Sequence, residues 1–268
     1  MFNIGGESQF YWGAFLGLLV THYTTQVTGQ GLVGLAAGFA TALLSGALWA
    51  LLVGVLRVYR GVNEVIAAIM LNWFSYYIIL FMLNRYFLDP QIPHQSVSVP
   101  ASTWLDAYAG FTITVVTVLL VYYALYYTVL GYGIRVSGLS PKSAKYAGID
   151  PGKSMLTSML IGGALAGLGG LLLVLTVSHN IDTTMSTVYG YGFLGIGVGL
   201  LGRNNPLGVV VAALFVAGLL IGGQWVELLT GSPPMLSDVV VGIIVVALSF
   251  PYAYRTVLSR YLKPPRGE

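Results

Sequence analysis

Leu32-Val-Gly-Leu-Ala-Ala-Gly-Phe-Ala-Thr-Ala-Leu-Leu-Ser-Gly-Ala-Leu-Trp-Ala-Leu-Leu-Val-Gly-Val-Leu56 carries no charged side chain and no proline. A bilayer core of about 30 Å takes roughly 20 residues of α-helix, so this stretch is long enough to cross one. It is continuously apolar, without the alternation that a lipid-facing barrel strand requires. A helix also closes its own backbone hydrogen bonds, which hydrocarbon demands. Working outward, similar stretches occupy 10–28, 66–88, 109–131, 155–177, 207–226 and 237–256, and a shorter glycine-rich one covers 188–201. The expected fold is all-α: a polytopic transmembrane helical bundle of about seven or eight spans, forming a single transmembrane domain over 1–268.

Composition agrees. Of 268 residues, 56% are hydrophobic and 8% charged, against about a quarter charged in a soluble domain. That excludes a soluble enzyme, a disordered chain and a nucleic-acid binder, and the net charge of +3 adds nothing for nucleic acid. With no cysteine, disulfides, thiolate metal sites and cysteine catalysis are excluded. The polar start lacks the basic region of a cleavable signal.

The cations orient the bundle. With loop 57–65 placed inside, Arg57, Arg60, Arg135, Lys142, Lys145, Lys153, Arg203, Arg255, Arg260, Lys263 and Arg266 share one side, leaving Arg85 alone outside. So lopsided a split is what the positive-inside rule expects, and it requires 188–201 to cross. Gly13/Gly17, Gly34/Gly38, Gly163/Gly167 and Gly162/Ala166/Gly170 have the spacing that lets helices approach closely in lipid.

Several strings imitate chemistry. Ala147-Gly-Ile-Asp-Pro-Gly-Lys-Ser154 loosely fits a phosphate-binding loop, but it follows a polar segment and Pro151 removes an N–H donor. Gly190–Gly195 and Gly197–Gly202 fit GxGxxG without a βαβ unit. Thr187-Val-Tyr-Gly-Tyr-Gly192 has one tyrosine too many for a channel filter. His94 and His179, near Asp182, read as solvated residues of outer loops. No catalytic set, metal site or cofactor is expected.

Three segments together carry a resemblance. Phe2-Asn-Ile-Gly-Gly-Glu-Ser-Gln9 resembles FNIG-x-E-x-Q. Arg60-Gly-Val-Asn-Glu-Val-Ile66, with Ile69-Met-Leu-Asn72, resembles GVNEVI…IMLN. Gly190-Tyr-Gly-Phe-Leu-Gly-Ile-Gly-Val-Gly-Leu-Leu-Gly-Arg-Asn-Asn-Pro-Leu-Gly208 resembles GYGFDGIAVALLGRNNPLG. A fourth, 138–149, is similar to a cytoplasmic GENPxAARYAGI loop. All four resemble ABC importer permease subunits of the simple-sugar and nucleoside (branched-chain amino acid/ribose-type) family, the nucleoside-type members above all. Leu194 stands where that family has an acid. Family members normally carry further spans ahead of FNIG, so either the natural start lies upstream of Met1 or the chain is a shortened variant.

The resemblance implies a permease of the prokaryotic plasma membrane, not itself an enzyme, that translocates a nucleoside or alternatively a simple sugar. Its implied partners are cytoplasmic ABC ATPase subunits, a second permease subunit (identical or homologous) and an extracytoplasmic solute-binding protein. A secondary transporter would need buried charges for its coupling ions, and hardly any of the charged residues falls inside a span. A channel would rest on the defective filter-like string.

Two sets of residues are candidates for that work. Ser140 as N-cap, Pro141 at N1 and Gly148 as a left-handed C-cap outline a short helix in cytoplasmic loop 132–154. The family places its ATPase-coupling helix there, so Ser140, Pro141, Ala144, Tyr146 and Gly148 are the coupling candidates. For the solute route, polar residues that lipid does not tolerate are the candidates: Asn3, Glu7 and Asn72, with Trp73 and Tyr76 beside them. Gln9, Asn63, Glu64 and Tyr77 extend that set, with Glu64 also placed to pair with Arg57 or Arg60 at the inner interface.

Overall fold

In the computed structural model the described residues are 3–231, 239–240 and 242–243. All but four residues of the 237–256 span, together with Arg255, Arg260, Lys263 and Arg266, therefore lie outside the described residues. Helices α1 (Gly6–Thr28), α2 (Gly31–Arg60), α3 (Glu64–Tyr86), α4 (Ala107–Tyr127), α5 (Val129–Leu139), α6 (Pro141–Tyr146), α7 (Pro151–Leu173), α8 (Tyr191–Leu201) and α9 (Pro206–Thr230) follow in order. The chain divides into two compact units at Gly195/Ile196, within α8.

In the first unit, α1, α2 and α7 form the packed centre, with α3 against α1. Small residues set that packing. A Cβ on Gly13 would strike the backbone of Gly167, and one on Gly46 the backbone of Gly163. Gly34 and Gly38 lie against Thr25 and Thr21 of α1. The glycine pairs at helical spacing are thus contact points, as close packing in lipid requires.

Helix α1 is the least lipid-like of the long helices and among the most buried. It is absent from the five helices that, among the described residues, have the length and composition of a membrane crossing, α2, α3, α4, α7 with its continuation, and α9. Yet Glu7, Ser8, Gln9, Thr21 and Thr25 are all buried along it. Glu7, Ser8, Gln9 and Thr21 find hydrogen-bond partners inside the protein, so its hydropathy understates its burial. Helix α4 is the reverse, with Gly110 its one buried residue.

Two expectations need correction. The 109–131 span ends at Tyr127, and the start of the 132–154 loop is helical rather than irregular. Thr128 is extended (φ −119°, ψ 156°), and its Oγ1 accepts from Gly131 N at 3.2 Å, capping α5. Gly131 allows α5 to fold back against the carbonyls of Ala124 and Leu125, a position no Cβ could share. The second concerns 188–201, which is helical only as the 11-residue α8. At about 1.5 Å per residue that is roughly 16 Å, half a bilayer core.

Helix α7 starts at a cap: Asp150 Oδ1 accepts from Gly152 N at 2.9 Å and Lys153 N at 3.4 Å, with Pro151 at N1. The phosphate-loop-like string is therefore a helix start. A π-helical turn, Val174–Ser178, ends this element at His179, which is left-handed (φ 57°) and stacked 4.1 Å from Trp104. His179 is thus half-buried, a correction to its reading as a solvated residue.

In the second unit, Arg203 and Asn204 are both left-handed (φ 54°) and form the turn into α9. Asn205 Oδ1 accepts from Leu207 N at 3.0 Å and Gly208 N at 3.3 Å, and Pro206 takes N1. The Arg-Asn-Asn-Pro-Leu-Gly string is a turn followed by an N-cap.

Candidate functional site

Helices α1 and α8 both begin inside the first unit, and a helix start leaves backbone N–H groups without intrahelical partners. Their own cap positions supply none: Gly5 precedes α1, and Gly190, left-handed at φ 90°, precedes α8. Both starts are served by side chains from elsewhere. Glu7, 1% exposed, accepts from Gly190 N at 2.5 Å and Phe193 N at 2.9 Å, and from Tyr11 Oη at 2.6 Å. A carboxylate at a helix N-terminus is favoured electrostatically as well as by its hydrogen bonds. Gly192 passes so close to the Glu7 backbone that no Cβ fits.

Asn72 does the same for α1. Its Oδ1 accepts from Ser8 N at 3.1 Å, and its Nδ2 donates to Ile4 O at 3.0 Å. Asn3 and Gln9 pair through both ends of their amides, at 2.8 and 3.0 Å. These three sets of bonds, all buried or half-buried, make up the polar network around the start of α1.

The network is one wall of a cavity of about 40 Å³, lined by Glu7, Tyr11, Ile69, Asn72, Trp73, Tyr76, Tyr189 and Phe193. Rings dominate the rest. Tyr189 stacks against Tyr11 (6.5 Å between centroids) and meets Tyr76 edge-on (6.0 Å), and Trp73 meets Tyr76 edge-on (6.0 Å). Tyr76 Oη donates to Thr184 O at 3.2 Å, tying α3 to the loop before α8. In that loop Asp182 accepts from Thr184 N (3.0 Å), Thr184 Oγ1 (2.8 Å), Ser186 N (2.8 Å) and Ser186 Oγ. Partial burial pushes the Asp182 pKa up, but the bonds from Ser186 and Thr184 outweigh it and hold the carboxyl below its usual range.

Of the solute-route candidates, Glu7, Asn72, Trp73 and Tyr76 meet around this cavity, and Asn3 lies in the adjoining network. Asn63 does not join them: it is the N-cap of α3, accepting from Val65 N at 2.9 Å. Glu64 pairs with Arg57 at 3.2 Å, away from the cavity. Tyr11 and Tyr189 were missed by sequence reasoning, since a tyrosine in an apolar run looks like packing. Among the described residues no three His, Asp or Glu side chains gather as a metal site would require.

The coupling candidates form a second, separate constellation. Ser140 Oγ accepts from Ser143 N at 3.2 Å, Pro141 is at N1, and Gly148 is left-handed (φ 75°). Ile149 N donates to Ala144 O at 2.9 Å, a reversal that closes the helix end. Ala144 is fully buried and anchors α6, while Tyr146 is 95% exposed.

Glu7, Ile69, Asn72 and Phe193 of the cavity belong to segments that carry the sequence resemblance, and a whole-chain comparison agrees. Residues 1–249 match the family model described as branched-chain amino acid transport system, permease component. The chain belongs to that family. It is 29% identical over 273 residues to the guanosine ABC transporter permease protein NupP of Bacillus subtilis, covering 98% of this permease and 77% of that one. It is also 29% identical to the glucose permease TsgB13 of Haloferax volcanii (92% and 69% covered). The nucleoside permease NupB of Lactococcus lactis is 29% identical too (81% and 64%). No solved structure matches. The permease is a multi-pass membrane protein of a transport system, with the long apolar helices that this requires.

Proposed function

We propose that this permease translocates nucleosides as the membrane subunit of an ABC importer, and that the cavity between α1, α3 and the start of α8 is where the solute passes. The observation that carries this is the ring-lined cavity itself. Trp73, Tyr76 and Tyr189 offer aromatic faces and edges, which suit a flat nucleobase, and base–aromatic stacking contributes about 1–3 kcal/mol per base. Relatives named for guanosine and nucleosides support the same class. At about 40 Å³ the cavity holds little more than a water molecule. Solute entry on this reading parts the rings of α3 from Tyr189, so the conformation described is a closed one.

On this reading Glu7 and Asn72 build the wall, Asn3 belongs to the adjoining Asn3–Gln9 pair, and Trp73 and Tyr76 meet the solute. ATP is hydrolysed in separate cytoplasmic subunits that engage Ser140, Pro141, Ala144, Tyr146 and Gly148. The support is the rigid double capping of α6 and the exposed Tyr146 ring. A second permease subunit and an extracytoplasmic binding protein complete the importer.

A simple-sugar solute is the second reading, favoured by the glucose permease relative. Uptake of labelled nucleosides and labelled sugars in a deletion strain carrying this permease with its ATPase separates the two. Nucleoside uptake alone supports the first reading, sugar uptake alone the second.

A further inference from the structure

An open cleft of about 450 Å³ lies between the first half of α5 and the first two turns of α7, away from the solute cavity. Its volume is within the range of ligand pockets, about 300–1,000 Å³. One side is apolar: Val129 (88% exposed) and Leu130 face outward from α5, on a helix that follows the lipid-facing α4 directly. Tyr132 completes the α5 side, and the α7 side is polar, lined by Asp150, Lys153, Ser154 and Thr157. Among the described residues neither the Lys153 ammonium nor the Ser154 hydroxyl has a partner.

The placement of Lys153 calls for an explanation that helix stability does not supply. It sits in the first turn of α7, where a cation opposes the helix dipole. The nearest acid, Asp150, directs its Oδ1 to the cap, accepting from Gly152 N and Lys153 N, and forms no ion pair with the Lys153 ammonium. Arg135, Lys142 and Lys145 bring further positive charge to the same end of the bundle, and none of the three forms an ion pair among the described residues. Arg135 instead lies over the Tyr126 ring, 4.8 Å from its centroid. An unpaired cation and a free hydroxyl beside an outward-facing apolar wall is the chemistry of a phosphate joined to acyl chains.

We infer that this cleft binds the headgroup phosphate of an anionic phospholipid, with Lys153 as its charge partner and Ser154 as a hydrogen-bond donor. The acyl chains run over Val129 and Leu130. Bound there, the lipid bridges α5 to α7 on either side of α6. The site does not depend on which solute the permease carries.

The test uses the full chain purified in detergent and exchanged against vesicles of phosphatidylglycerol or of phosphatidylcholine, with tightly retained lipid counted by native mass spectrometry. The expected result is one phosphatidylglycerol per chain, no retained phosphatidylcholine, and retention weakened about fivefold in Lys153→Gln, the size of one lipid–cation contact. Lys153→Arg keeps the charge and is expected to retain the lipid, which shows that loss in Lys153→Gln is not misfolding. Inorganic phosphate at millimolar concentration is the competing probe and is expected to leave the lipid in place. Equal retention by wild type and Lys153→Gln, equal retention of the two lipids, or full displacement by phosphate overturns the proposal, the last by assigning the cleft to a soluble phosphate.

Discussion

Two regions of this permease start their helices in opposite ways. At the α6–α7 end, each helix is capped by the residue directly before it: Ser140 for α6 and Asp150 for α7, both reaching two or three residues onward in exposed positions. At the ring-lined cavity, α8 is capped by Glu7, 183 residues away along the chain, and α1 by Asn72, 64 residues away, both buried. A local cap travels with its helix, so α6 can move as a rigid piece and keep all its bonds. A distant cap ties one helix to another, so moving α8 away from α1 exposes buried N–H groups. The first arrangement suits an element that transmits a push. The second suits one that must hold a position until something replaces its bonds.

That contrast breaks most visibly at Glu7. Glu7→Ala leaves Gly190 N, Phe193 N and Tyr11 Oη without their shared acceptor, at about 1–3 kcal/mol for each buried group left bare. The expected outcome is a several-fold loss of folded, detergent-extractable permease. Glu7→Gln keeps one acceptor oxygen and is expected to lose less. Wild-type yield and melting temperature in both variants would mean that the carboxylate is not a cap.

Asn72→Leu comes next. It strips a partner from Ser8 N and from Ile4 O, at about 1 kcal/mol for each bond. A cap predicts lower yield with the uptake KM of the surviving protein little changed. Normal yield with a raised KM would instead make Asn72 a solute contact.

The local caps are expected to behave differently. Asp150→Ala removes a cap contributing about 1 kcal/mol, yet its helix is long and packed, so folded yield should stay near wild type. Ser140→Ala acts on a six-residue helix and should lower solute-stimulated ATPase activity of the assembled importer without lowering yield. A drop in yield matching that of Glu7→Ala would erase the distinction between the regions.

The smallest effect concerns Asp182. Its depressed pKa stabilises the loop that carries Tyr189 at pH above the usual carboxylate value of 3.8, and the contribution is lost as pH falls through the lowered value. The wild-type melting temperature should therefore decline more than that of Asp182→Asn as pH is taken below 4. Parallel curves would show the network to be inert.

What was legible in the sequence follows the same division. Ser140, Pro141 and Gly148 could be read as caps because their partners lie within a few residues, and the glycine pairs could be read as contacts because helical spacing fixes which face they share. Glu7 and Asn72 stood out as polar groups in apolar surroundings, but the groups they bond are set by tertiary packing, which spacing does not encode. Tyr11 and Tyr189 carried no signal beyond being aromatic. The break at Thr128 was hidden because an apolar run continues across it.

The central claim is that the rings of α3 meet a nucleobase, and Trp73 tests it most directly. Its ring is half-exposed at the rim of the cavity, so truncation leaves the buried caps intact. Guanosine uptake is measured over a concentration range for wild type and Trp73→Ala at matched amounts of folded permease. Loss of one stacking contact predicts a KM raised about tenfold, with Trp73→Phe close to wild type. An unchanged KM in Trp73→Ala, with uptake otherwise intact, would contradict the account.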